Sequence, residues 1–343
     1  MSFAEKLVAW QRHHGRRGLP WQGARDPYRI WLSEIMLQQT QVAAVVPYYR
    51  RFLEKYPGVK ALAAASEDEV LRLWSGLGYY ARGRNLHKAA REIVRHGSFP
   101  RKSLDLQTLP GIGRSTAAAI AVFAYGERAA VLDGNARRVL SRYLGTEQDL
   151  WRHAERLLPR KDVETYTQAL MDLGATLCKR RPECARCPVS AGCVARETGR
   201  TAELPAPRTR KPLPLRRATW FICLHEGKVL LRRRPSSGLW GGLWCFPEEK
   251  PAGARKPRRL PPLEHGFTHF RLRIQPVLCE AARAAAGLRI DLDDAVRAAV
   301  PAPVRKLLLG LPAGARGERG RRRARAVPAS SRAAAAGARR AAR

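Results

Sequence analysis

The chain has 343 residues, 45% of them apolar, so it is long enough for about two domains, and a wholly disordered polymer is excluded. Its 64 Lys and Arg against 29 Asp and Glu give a formal charge of +35. That excess points to a polyanion, nucleic acid above all, as partner. Glu5 and Lys6 interrupt the start where a secretion signal needs an apolar run, and Gly126, Glu127 and Arg128 break the Ala-Val-rich stretch at 115–132. A cytoplasmic location with no membrane span is therefore expected.

The first half reads as helical. Residues 28–41 carry an amphipathic pattern, and on that helix Ile30, Leu37 and Gln38 share a face with Glu34. A carboxyl among apolar and amide groups would keep a proton near neutral pH, whereas on a solvated face it would not. Ser66 with Glu69 forms a capping box ahead of Val70, Leu73, Trp74 and Leu77. Leu109-Pro110-Gly111-Ile112-Gly113-Arg114-Ser115 then leads into an alanine-rich helix over 115–125. Gly111 and Gly113 suit positive φ angles and close approach to a phosphate, although an ordinary helix-turn-helix corner has the same look. Asp133 in Val131-Leu132-Asp133-Gly134-Asn135 precedes a helix over 135–144, the usual place of an N-cap as well as of a reactive carboxylate.

Four of the seven cysteines, Cys178, Cys184, Cys187 and Cys193, crowd one short stretch. Four thiolates so close predict zinc or an iron–sulfur cluster, and spacing alone does not choose between them. Residues 198–216 carry four prolines and no periodicity, so an extended linker is expected there. Then the texture turns β-like: TWFICLH, a Glu226-Gly227 turn and KVLLRRR read as a hairpin, followed by FTHFRLRIQPVL and a short helix at 301–309. Beyond Gly310, ten arginines face one Glu among Ala and Gly, a composition that builds no core.

Together these stretches resemble one family closely. LPWQ (19–22), WLSEIMLQQTQVAAVVPYY (31–49), WSGLGYYARGRNLHKAA (74–90), LPGIGRSTAAAI (109–120), VLDGN (131–135), QALMDLGATLC (168–178) and PSSGLWGGLWCFP (235–247) resemble the MutY-type adenine DNA glycosylases of the helix-hairpin-helix superfamily. The resemblance implies a multidomain protein. An all-α helix-hairpin-helix glycosylase domain would span 1–197 and carry a [4Fe-4S] loop, with the linker at 198–216. An α+β Nudix-like domain would span 217–309, and a disordered tail 310–343. It further implies a bacterial, nucleoid-associated monomer acting on duplex DNA with adenine opposite 8-oxoguanine or guanine.

By position, Glu34 matches the family's general acid, Asp133 the carboxylate that stabilises the cationic sugar, and Asn135 its support. Trp21 and Gln168 match residues lining the adenine pocket, Gln38 and Tyr79 those that probe and wedge the helix, and Thr268 and His269 the turn that reads 8-oxoguanine. Endonuclease III-type relatives place a lysine amine where this chain has Ser115, so a monofunctional enzyme with little lyase activity is expected. Three departures stand out. Five residues separate Cys178 from Cys184 where the family usually has six, the segment between Leu144 and Trp151 is short, and Thr268 replaces a serine. Two rival readings are a bifunctional endonuclease III-like enzyme and a non-catalytic DNA-binding protein.

Overall fold

The computed structural model describes residues 1–207, 212–280 and 287–311. These divide into two compact units, one from 1–66 and 81–207, the other from 67–80, 212–280 and 287–311.

The first unit is helical: α1 Phe3–His14, α2 Pro27–Leu37, α3 Val42–Lys55, α4 Val59–Ala64, then, past α5 (Glu67–Trp74) of the other unit, α6 Ala81–Arg95, α7 Ser103–Leu106, α8 Arg114–Tyr125, α9 Gly134–Leu144, α10 Leu150–Leu157, α11 Val163–Thr176 and α12 Val194–Glu197. Local chemistry sets the starts. Ser2 and Glu5 form a reciprocal capping box on α1, and Asp26 accepts from the Tyr28 amide at 2.9 Å ahead of Pro27 on α2. Glycines in the left-handed region close two helices, Gly126 after α8 and Gly145 after α9. α1 and α9 both pack on α11, burying Leu7, Val139, Leu140, Leu170 and Leu173 in one core. α2 lies against α8, whose run from Ala117 to Val122 is buried. Small side chains there keep the two backbones close.

The expected helix over 28–41 ends early, at Leu37. Arg82 of α6 accounts for the stop, because its guanidinium donates to the carbonyls of Ile35, Met36 and Gln38 at 2.9, 2.8 and 2.6 Å. Gln38 therefore sits beyond the helix instead of on the face that carries Glu34. In the turn before α8, Gly111 has φ +81°, and a Cβ there would meet Asn85 Cβ at 2.8 Å. Gly113, expected to share that conformation, has φ −85° as the residue preceding α8, and a Cβ on it would meet nothing within 4 Å.

The second unit holds a mixed sheet. Its strands are β1 Leu215–His225, β2 Lys228–Arg233, β3 Trp244–Cys245, β4 Arg255–Arg259, β5 Leu263–Gly266, β6 Arg271–Glu280 and β7 Leu288–Asp291, with α13 Leu292–Arg297 and α14 Ala302–Leu309 after them. The order is β3-β2-β1-β6-β4, with β5 also on β6 and β7 on β2. β1 and β6 run parallel through the centre, Trp220 opposite Pro276 and Cys223 opposite Cys279. The expected hairpin joins β1 to β2, with Glu226 and Gly227 both at positive φ.

Two boundaries differ from expectation. The segment with α5 (Glu67–Trp74), read from sequence as part of the helical domain, groups with the sheet unit. Its polar groups are matched there: Asp68 accepts from the Trp244 indole at 2.7 Å, Ser75 donates to the Val300 carbonyl at 2.7 Å, and Arg305 donates to Ser75 at 2.8 Å. The start of the expected linker is also docked. Leu204 is buried and its carbonyl accepts from Arg142, while the Ala206 amide donates to Glu147, so residues 198–207 belong to the helical unit. Residues 208–211 of the linker and the tail from 312 onward lie outside the described residues, and the expected linker ends early because Leu215 and Arg216 already belong to β1.

Candidate active site

A cavity of about 580 Å³ opens within the helical unit, lined among others by Trp21, Glu34, Leu37, Phe123, Gln168 and Met171. Its size falls in the range of small-ligand sites, and its walls mix apolar faces with a few polar groups. Trp21 is braced edge-on by Tyr49, with ring centres 5.3 Å apart.

Glu34 projects from α2 into this cavity. Burial, with the negative charge of Asp133 as the second cause, pushes its pKa from 4.5 to about 8. The carboxyl is consequently protonated at neutral pH and can donate. Asp133 is at once the N-cap of α9 and Glu34's charged neighbour: its side chain accepts from the Ala136 amide at 2.7 Å and from Asn135 Nδ2 at 3.3 Å. Burial raises its pKa, while those hydrogen bonds and the Arg138 charge pull the other way. The side chain expected to be reactive is thus also the cap of α9. Two carboxyls with different surroundings, one holding a proton and one held by donors, have the asymmetry that an acid–base pair needs.

Sequence reasoning missed the residues that hold this pair. Arg138, one turn along α9 from Asn135, donates to Asn135 Oδ1 at 2.8 Å, to the Gly174 carbonyl at 2.7 Å and to the Cys178 carbonyl at 2.7 Å. Gly174 lets α11 pass close to α9, since a Cβ there would stand 2.9 Å from Asn135 Cα. Asp172, fully buried, takes donors from Gln11, Arg16 and Gln168. The i, i+3 spacing of Asn135 and Arg138 and the i, i+4 spacing of Gln168 and Asp172 are the sequence traces of these pairs, but such spacing is ordinary on any helix and does not single them out.

The remaining expected site residues are dispersed. Ser115 Oγ accepts from the Leu132 amide at 3.1 Å, tying α8 to the chain that delivers Asp133. Gln38 Nε2 donates to Thr116 Oγ1 at 3.3 Å. Tyr79 is 45% exposed with φ +47° and belongs, with its segment, to the other unit. Thr268 and His269 are exposed in the turn between β5 and β6, their Oγ1 and Nδ1 atoms 3.3 Å apart, above a stacked pair of Phe267 and Phe270.

Cys178, Cys184, Cys187 and Cys193 line one small cavity at the end of α11, and burial, with a smaller contribution from the neighbouring thiols, pushes Cys187 up to about 11. Among the described residues, no three His, Cys, Asp or Glu side chains are placed to hold a single metal ion. Four thiols lining one small cavity are a donor set that zinc and iron–sulfur clusters both accept. Arg142, buried beside them, donates to Cys178 Sγ at 3.4 Å and to the Lys179 carbonyl at 2.6 Å. Among the described residues no helix is long and apolar enough to cross a membrane.

Residues 32–161 match the model of the HhH-GPD superfamily of base excision DNA repair proteins, and residues 219–310 match that of the NUDIX domain. The chain is 35% identical over 298 residues to an adenine DNA glycosylase of Buchnera aphidicola subsp. Baizongia pistaciae, covering 80% of this chain and 85% of that one. It is 36% identical over 312 residues to the adenine DNA glycosylase of Homo sapiens, covering 72% of this chain and 57% of the human one. Among solved structures, a thermostable thymine-DNA glycosylase superposes with TM-score 0.54 at 31% identity, over 57% of this chain and 95% of its own. An endonuclease III–DNA complex superposes with TM-score 0.51 at 21% identity over 57% of this chain and 94% of its own, which speaks for the fold alone. A protonated glutamate facing a capped aspartate on a helix-hairpin-helix scaffold, followed by a NUDIX domain, agrees with these matches, and the chain belongs to the MutY-type adenine DNA glycosylase family.

Proposed function

We propose that this protein hydrolyses the N-glycosidic bond of adenine paired with 8-oxoguanine or guanine in duplex DNA, in base excision repair. The observation that carries the reading is Glu34, a carboxyl held protonated at neutral pH inside a base-sized cavity with an aspartate as its charged neighbour. Adenine is a poor leaving group until a ring nitrogen is protonated, and the base must leave the stack to be reached. The Glu34 carboxyl supplies that proton and, as a carboxylate, then takes one from the attacking water; such acid–base help is worth about 10²–10⁴-fold. The Asp133 carboxylate, its orientation fixed by the Ala136 amide and Asn135, stabilises the oxocarbenium-like sugar.

Ser115 offers a hydroxyl where lyase chemistry needs an amine, so base removal is unaccompanied by Schiff-base strand cleavage. This favours a monofunctional enzyme over the endonuclease III-like reading. Gln38 and Tyr79 act on the duplex around the extruded base, Trp21 and Gln168 hold the base, and the backbone at Gly111 and Gly113 meets DNA phosphates. Thr268 and His269 read the 8-oxoguanine partner. Cys178, Cys184, Cys187 and Cys193 would hold one [4Fe-4S] cluster, whose contribution is to cross-link the loop after α11. The protein works as a monomer on nucleoid DNA.

Incubation with a duplex carrying one A:8-oxoguanine pair, followed by alkali, tests the reading. A break at the adenine position that needs alkali supports it. Intact strands, or breaks without alkali that borohydride traps as protein–DNA adducts, contradict it.

A further inference from the structure

The stretch PSSGLWGGLWCFP at 235–247 leads from β2 into β3 and supplies nothing to the acid–base pair, yet its backbone is tightly clasped. The Arg234 amide donates to the Leu243 carbonyl at 2.9 Å, the Gly242 amide to the Pro235 carbonyl at 3.1 Å and the Leu243 amide to the Trp240 carbonyl at 3.0 Å. Gly241 passes so near the facing strand of this loop that a Cβ on it would stand 2.7 Å from the Ser236 carbonyl carbon. Within the clasp Trp240 takes φ +54°, a conformation disfavoured for a bulky side chain and kept only where the surroundings impose it.

That conformation delivers the Trp240 ring to the base of the turn at 267–270. Trp240 is buried, with its ring centre 5.6 Å from that of Trp220, 5.7 Å from His265 and 5.3 Å from Phe267. His265 meets Phe267 edge-on at 4.7 Å, and Phe267 stacks on Phe270 at 4.4 Å. Burial lowers the pKa of His265, so its imidazole packs at neutral pH as an uncharged ring. Phe267 and Phe270 are the two feet of the turn, joined by a hydrogen bond from the Phe267 amide to the Phe270 carbonyl at 2.9 Å, and the exposed Thr268 and His269 ride between them. The aromatic stack thus runs from the clasped loop to the turn without a polar gap.

We infer that Trp240 is a positioning residue: through Phe267 and His265 it fixes the angle at which Thr268 and His269 meet the base opposite adenine. The inference rests on the proposed reading of 8-oxoguanine by that turn. 8-Oxoguanine differs from guanine only by an oxygen on C8 and a hydrogen on N7, so two side chains on an exposed tip tell them apart only when the tip is held still. A tip that shifts loses the bonds particular to 8-oxoguanine and keeps the contacts that both bases share.

Single-turnover adenine release is measured opposite 8-oxoguanine and opposite guanine for wild type, Trp240→Leu and Trp240→Phe, with hydrogen exchange of residues 263–272 followed alongside. Trp240→Leu should lower the ratio of the two rates about fivefold, through the 8-oxoguanine rate, and should speed exchange at the Phe267 amide. The rate opposite guanine should stay within about twofold, which a general loss of structure would not spare. Trp240→Phe, which keeps a ring, should restore most of the ratio. His265→Leu removes the second support and should lower the ratio about threefold, which keeps the inference testable if Trp240→Leu does not fold. An unchanged ratio in the folded variant, or equal slowing opposite both bases, overturns it. The double variant Thr268→Ala, His269→Ala separates the two claims. If it leaves the ratio unchanged, the turn does not read 8-oxoguanine and the positioning role falls with that reading; if it lowers the ratio while Trp240→Leu does not, the positioning role alone is wrong.

Discussion

The charge of Asp133 helps keep the proton on Glu34, second only to burial as a cause of its raised pKa. A carboxyl that must be protonated to act loses activity as pH rises through its pKa. Single-turnover adenine release should therefore decline above about pH 8, with the descending limb reporting Glu34. In Asp133→Asn the neighbouring charge is gone while burial stays, so the Glu34 titration, followed by carboxyl infrared absorption or NMR, should move below 8 without reaching the ordinary 4.5.

The same shift has a sign for stability. Folded Glu34 binds its proton up to about pH 8 and the unfolded chain releases it near 4.5, so the folded state loses stability as pH rises between those values. Glu34→Gln removes that loss. Its melting temperature relative to wild type should be higher at pH 9 than at pH 5, and a difference that does not vary with pH contradicts the buried, protonated assignment.

Arg138 joins Asn135 to the Cys178 carbonyl through one guanidinium. Arg138→Ala leaves the Gly174 and Cys178 carbonyls without their donor and frees Asn135, at a cost of about 1–3 kcal/mol. Thermal unfolding should shift accordingly, and adenine release should slow by at least about tenfold through loss of the Asp133 support. Gly174→Ala should act in the same direction, because its Cβ would collide with the backbone of Asn135.

Iron content tests the cysteine loop. The purified chain should carry about four iron atoms and absorb in the visible, both lost on chelation of the oxidised protein. One zinc per chain contradicts the cluster.

Thr268→Ala and His269→Ala should narrow the preference for adenine opposite 8-oxoguanine over adenine opposite guanine while changing bulk duplex affinity less. Thr268 and His269 are exposed between half-buried Phe267 and buried Phe270, so these two side chains can be removed without opening the core.

Local signals in the chain foretold much of this. The β1–β2 hairpin, the helix starting at Arg114 and the capped start of α9 follow from turn residues and periodicity within a few positions. Long-range partners did not. The early end of α2 depends on Arg82, more than forty residues away, and the placement of α5 with the sheet depends on Trp244, Val300 and Arg305. For the site, Glu34 and Asp133 were legible as residues, but their mutual effect on protonation needed the fold. Asp172 and Arg138 look from sequence like ordinary polar helix positions, and only the packing of α11 against α1 and α9 gives them partners.

The most direct measurement is single-turnover adenine release from an A:8-oxoguanine duplex by wild type and Glu34→Gln at neutral pH, with duplex affinity measured alongside. Glu34→Gln should bind as wild type does and release adenine at least about 100-fold more slowly. Equal rates of release would contradict Glu34 as the acid and, with it, the chemistry assigned to this cavity.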